Sequence, residues 1–151
     1  MVHLKGGSSE RTDVNPIRFM TMSPDEHHQL LLASGREPGS KSTVAQISFL
    51  LDDFAQLRAV HERATADPRI TSIWALDHGN SWTVYFKDPE DNIIETYVHT
   101  PWHVSQPYGT PIDFSLSDEQ IFENTQAAVL NNPSYRPAGD FRAELVERLA
   151  Q

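Results

Sequence analysis

Several sets of residues have the types and the spacing to do chemistry. Glu95, Tyr97 and His99 recur at every second position, so on a strand a carboxylate, a phenol and an imidazole share one face while Ile94, Thr96 and Val98 take the other. Thr83 and Tyr85 stand in the same way opposite Trp82, Val84 and Phe86, and Gln46 and Ser48 opposite Ala45, Ile47 and Phe49. The paired His27 and His28 precede an apolar run, and His78 sits in the turn-like Asp77-His78-Gly79-Asn80. Such groups suit proton transfer, hydrogen bonding to a small polar ligand, or a divalent cation held by carboxylate, imidazole and amide oxygen. In an antiparallel sheet packed on one side the same alternation separates core from solvent; it becomes a binding wall where the sheet curls around its polar face.

The elements that must position these residues are legible in outline. Residues 1–16 contain Gly6-Gly7-Ser8-Ser9 and mixed charges without apolar periodicity, which predicts a mobile arm. Ile17 to Met22 and His27 to Ser34 flank Ser23-Pro24-Asp25-Glu26 and predict a hairpin over 17–34, and residues 35–43 read as a connector. Val44 to Leu51 predicts a buried strand, followed by Asp53 as helix N-cap with Gln56 three residues on. Phe54, Leu57, Val60, His61 and Ala64 then run at helical spacing to Asp67-Pro68. Ile70 to Leu76, Trp82 to Lys87 and Ile93 to His99 predict three more strands, so residues 44–100 read β-α-β-β-β. Beyond them, residues 101–151 form a proline-rich tail. It carries one helix capped by Ser117 with Gln120 and a last helix from Asp140 whose stripe is Phe141, Leu145 and Leu149.

Composition narrows the chemistry. The chain has 151 residues, the size of one domain burying about two-thirds of its unfolded surface. A net charge of −9 repels phosphate backbones and anionic lipid, so neither nucleic acid nor a membrane is an expected partner. With no cysteine, thiolate ligands, iron–sulfur clusters and cysteine nucleophiles are excluded. A polar N-terminus and the absence of an apolar run near the ~18–20 residues of a membrane span lead to the expectation of a cytoplasmic protein.

The stretch from His78-Gly79 through Tyr85-Phe86 and Asp88-Pro89-Glu90-Asp91-Asn92 to Glu95 resembles the closing motif of vicinal oxygen chelate modules. It is most similar to that of type I extradiol dioxygenases of the biphenyl-2,3-diol and catechol 2,3-dioxygenase kind. His27-His28-Gln29-Leu30-Leu31-Leu32 resembles a strand of the same enzymes. The resemblance covers roughly residue 17 to the chain end. It implies an α+β fold built on a curved mixed sheet of β-α-β-β-β modules, two of which enclose one metal held by two His and one Glu.

Carried over residue by residue, the resemblance puts Glu95 in the place of the metal carboxylate and Gln46 where the second metal His stands. His28 takes the place of a His near the oxygen site, His78 that of a His on the loop before the penultimate strand, and Tyr85 that of a substrate-binding Tyr. Ser48, Thr83 and Tyr97 line the same face as expected substrate contacts. The family's opening strand and helix, with its first metal His, are not found before the hairpin. The resemblance therefore implies an extradiol-dioxygenase-like protein that acts on or binds a small aromatic diol. Its metal site, for Fe(II) or another divalent ion, is altered or dispensed with, and open sheet edges suit a homodimer. The alternative it implies is a sequestering module of the bleomycin-resistance type, for which Trp74, Trp82, Tyr85, Tyr97 and Trp102 would form an aromatic groove.

Overall fold

Strands β5 (Ile73–Asp77), β6 (Ser81–Lys87) and β7 (Ile93–His99) form an antiparallel meander, as their β-branched and aromatic residues and the intervening turns dictate. The computed structural model describes residues 3–5, 17–21, 29–41 and 43–150, and its chain divides into two units, Met1–Lys41 and Ser42–Gln151.

In Met1–Lys41, β2 (Ile17–Thr21) pairs antiparallel with β3 (Leu30–Ala33), Ile17 opposite Ala33. The arm expected to be mobile contributes a strand of its own: β1 (His3–Lys5) pairs with β2, His3 opposite Thr21, to give a three-stranded sheet. The expected turn at Ser23-Pro24-Asp25-Glu26 and the pair His27-His28 lie outside the described residues.

In Ser42–Gln151 the sheet is five-stranded and mixed, ordered β4-β7-β6-β5-β9, with β4 (Ile47–Leu50) parallel to β7 and β9 (Thr110–Pro111) at the other edge. Together with three helices it makes the chain an α+β protein. A parallel pair needs a crossover, and α1 (Phe54–Ala66) supplies it. Asp53 starts α1 by accepting from the Gln56 amide at 2.8 Å, while the Gln56 side chain turns to Asp52 instead of closing the box. The strand expected to be buried is in fact an edge, with Val44 and Leu50 about half exposed, because β4 has only one neighbour.

The apolar faces of β5, β6 and β7 meet α1 and α2 (Asp118–Leu130). Leu57, Trp82, Val84, Val98, Trp102, Val104, Ile121 and Val129 form the core. Ser117 and Gln120 cap α2 reciprocally, as expected. Arg58 on α1 clamps the start of α2, donating to Asp118 and to the carbonyls of Phe114 and Leu116 at 2.7–2.8 Å. The last helix, α3 (Ala138–Leu149), starts two residues before Asp140, after β10 (Arg136–Pro137) pairs with β8 (Trp102–His103). Of its expected stripe Phe141 stacks on His103 at 3.6 Å, whereas Leu145 and Leu149 stay exposed.

Among the described residues no helix is long and apolar enough to cross a membrane.

Candidate functional site

Register decides which polar side chains become neighbours on the sheet face away from α1. Ser48 lies opposite Glu95, Glu95 opposite Tyr85 and Tyr85 opposite Trp74, a single row across β4, β7, β6 and β5. The next row runs Leu50, Tyr97, Thr83, Leu76, and His99 faces Ser81 beyond it. Directly opposed side chains in such rows touch.

The contacts bear this out for most of the expected residues. Glu95 Oε2 accepts from Gln46 Nε2 at 2.6 Å and from the Ser48 hydroxyl. Tyr85 stacks on Trp74 with centroids 5.2 Å apart and planes within 10°. Its hydroxyl reaches His78 Nε2 at 3.1 Å, and His78 Nδ1 lies 2.7 Å from the Tyr108 carbonyl. A carbonyl only accepts, so His78 Nδ1 carries a hydrogen and donates to Tyr108. Tyr97 meets His99 edge to face at 5.6 Å.

To reach His78, which follows the end of β5, the Tyr85 side chain leans along its strand toward Ser81. Thr83 is thereby wholly buried, and its Oγ1 has no hydrogen-bond partner. The Tyr85 phenol is pushed well above its ordinary pKa, first by burial and then by its hydrogen bond to the neighbouring Glu95 carboxylate. The nearby Thr83 hydroxyl opposes that shift without making a hydrogen bond of acceptable geometry.

Gly79 sets the turn that presents His78. Its φ of +73° is left-handed, and a Cβ there would lie 2.5 Å from Val104 Cγ2, so a side chain meets both backbone strain and a packed core. The turn before β7 also has a left-handed position: Asp91 has φ 67° and pairs with Lys87 at 2.6 Å. Asp tolerates this conformation better than most residues.

Gln46, Ser48, His78, Thr83, Tyr85, Glu95 and Tyr97 are therefore on one face, whereas His28 lies outside the described residues. The aromatic groove is corrected: Trp74, Tyr85 and Tyr97 border this face, but Trp82 and Trp102 are core residues, because period two turns Trp82 toward the helices. Asp77, expected in the turn, is the last residue of β5. It is a buried carboxylate on the core face, accepting from Thr125 Oγ1 at 2.6 Å and from the Gly79 amide at 2.7 Å, while Trp82 Nε1 donates to Thr125. Burial raises its pKa, and those two hydrogen bonds hold the rise back. The signal for it was its spacing from Ile73 and Ala75, two positions apart along one face.

The donor set differs from that of a two-His-one-carboxylate metal site. Among the described residues Glu95 is the one anionic candidate on this face, Gln46 turns its amide nitrogen toward it, and no three His, Asp or Glu side chains converge. These residues do not fit such an ion by themselves.

No family model matches the chain, no curated protein is detectably similar to it, and no solved structure matches its fold.

Proposed function

We propose that the chain is an extradiol-dioxygenase-like protein of the vicinal oxygen chelate type that binds a small aromatic diol on the polar face of its five-stranded sheet. The order β4-α1-β5-β6-β7, with β4 laid parallel beside β7, supports the module reading that the closing motif implies. One observation carries the ligand. The Tyr85 hydroxyl and the Glu95 carboxylate stand side by side next to the Trp74 ring, Tyr85 held 3.1 Å from His78 Nε2 and Glu95 by Gln46 and Ser48. A diol hydroxyl is a further donor to the Glu95 carboxylate, and the aromatic ring of the ligand finds Trp74 and Tyr97 along its edge. The donor set favours binding over metal-dependent ring cleavage, and no step is routed through a metal. The reading includes a homodimer, with the exposed Leu50 of the edge strand as apolar surface for a second copy.

Calorimetric titration with catechol tests it. Wild type binds saturably and Glu95→Gln binds at least ~10-fold more weakly, the equivalent of about 1.4 kcal/mol. Catechol affinity unchanged by Glu95→Gln overturns the assignment of the site. Ring cleavage on adding Fe(II) anaerobically and then air replaces the binding reading with an enzymatic one.

A further inference from the structure

The His78 imidazole is placed by hydrogen bonds that reach well beyond the turn it sits in. The backbone at 78 and 79 is bonded at all four of its polar groups. The His78 amide donates to the Ser81 carbonyl at 2.9 Å, the Gly79 amide donates to Asp77 Oδ1 at 2.7 Å, and the Gly79 carbonyl accepts from the Thr100 hydroxyl at 2.6 Å. The fourth group, the His78 carbonyl, accepts from Gln106 Nε2 at 2.9 Å.

Gln106 does more than complete this set. Its Oε1 accepts from the Tyr108 amide at 3.0 Å, and the Tyr108 carbonyl is the acceptor for His78 Nδ1 at 2.7 Å. One side-chain amide thus ties the His78 main chain to the residue that holds the His78 ring, and the three bonds close a loop. A planar amide supplies the donor and the acceptor at once, which neither a carboxylate nor an ammonium group does. Gln106 is exposed and stands outside the apolar core, so burial does not account for the arrangement.

We infer that Gln106 is a positioning residue for the polar face: it fixes the His78 imidazole with Nδ1–H on the Tyr108 carbonyl, which turns Nε2 to the Tyr85 hydroxyl beside Glu95. The inference rests on the reading of that face as the ligand site. Gln106 acts through His78, and the cost of ordering the ring is met when the chain folds rather than when a ligand binds.

Nitrogen NMR of the full chain carrying isotope-labelled histidine reads the ring tautomer without a ligand, at a pH roughly two units above the ordinary histidine value of about 6.5. In wild type, His78 is expected to be the Nδ1–H tautomer alone. Gln106→Met keeps the side-chain length and loses both amide bonds. It is expected to give a mixture with the Nε2–H form in a folded chain and to weaken catechol binding by roughly 5-fold. Gln106→Glu keeps only the bond to the Tyr108 amide, so it gives smaller changes in the same direction, and it decides the matter if the first variant does not fold. In a His78→Phe background Gln106→Met costs no further affinity, because the residue acts only through that ring. An unchanged His78 tautomer in the folded variants, or an undiminished loss of affinity in the His78→Phe background, overturns the role. If wild type binds no catechol but the tautomer still shifts in Gln106→Met, the positioning holds and the ligand assignment alone fails.

Discussion

The two faces of the β4-β7-β6-β5 sheet come from the same alternating strands, yet they are held by different forces. On the helix side Leu57, Val84 and Val98 fill the space under α1, and Phe54, Trp102 and Phe122 pack at an angle against or near Trp82. The polar exceptions there, Asp77 and Thr125, are bonded to each other and to Trp82. On the other side Gln46, Ser48, Glu95, Tyr85 and His78 are joined by hydrogen bonds and polar contact, and Thr83 is left with a buried hydroxyl and no partner. A face built for stability satisfies its buried polar groups, so the one that leaves some unsatisfied is the better candidate for binding.

Substitutions can break that contrast. Leu57→Ala, at a wholly buried position, should cost about 3 kcal/mol in denaturant unfolding, because it removes transfer energy and leaves a cavity. Ser48→Ala, exposed on the polar face, should stay within about 0.5 kcal/mol. Comparable losses at the two positions would erase the distinction.

Asp77 gives a second, smaller effect, read through pH. Its folded-state pKa is raised, so between the ordinary carboxylate value near 3.8 and the raised one the folded chain keeps a proton that the unfolded chain has released. Stability from this group is therefore greatest at low pH and is lost as pH rises through that window. Asp77→Asn should remove this falling component from the stability curve as pH rises above about 3.8, and a curve of unchanged slope would show that burial does not govern the group.

The smallest effect should carry the opposite sign. Thr83→Val replaces the orphaned hydroxyl with a methyl of the same shape, which should leave stability unchanged or raise it by up to about 1 kcal/mol in thermal unfolding. A clear destabilisation would mean that the hydroxyl is satisfied after all and that the polar face is as complete as the core.

Much of this was open to local reading. The caps at Asp53 and Ser117 and the bounds of Ile93–His99 follow from side chains that bond or pack within a few residues of themselves. The assignment of Glu95, Tyr97, Thr83 and Tyr85 to one face needs only the two-residue period of a strand. The expected buried strand at Val44 to Leu51 fails because an apolar run reports composition and not the number of neighbours, and β4 has one. Leu145 and Leu149 fail likewise: helical spacing makes a stripe, but a stripe is buried only if another element arrives to cover it.

By itself, then, the sequence determined the strand and helix segments, the two-sided character of the sheet and the residue types available on each side, since all of these depend on backbone period, capping and turn chemistry within short stretches. Tertiary structure alone decided that β4 runs parallel beside β7, which brings Gln46 and Ser48 to a carboxylate 49 and 47 residues away. It also decided that Tyr85 leans to His78, that Asp77 is buried under Thr125, and that Gln106 bridges His78 and Tyr108. Those outcomes are set by register and by packing across long loops, where the free energy lies in contacts that no local window of the chain contains.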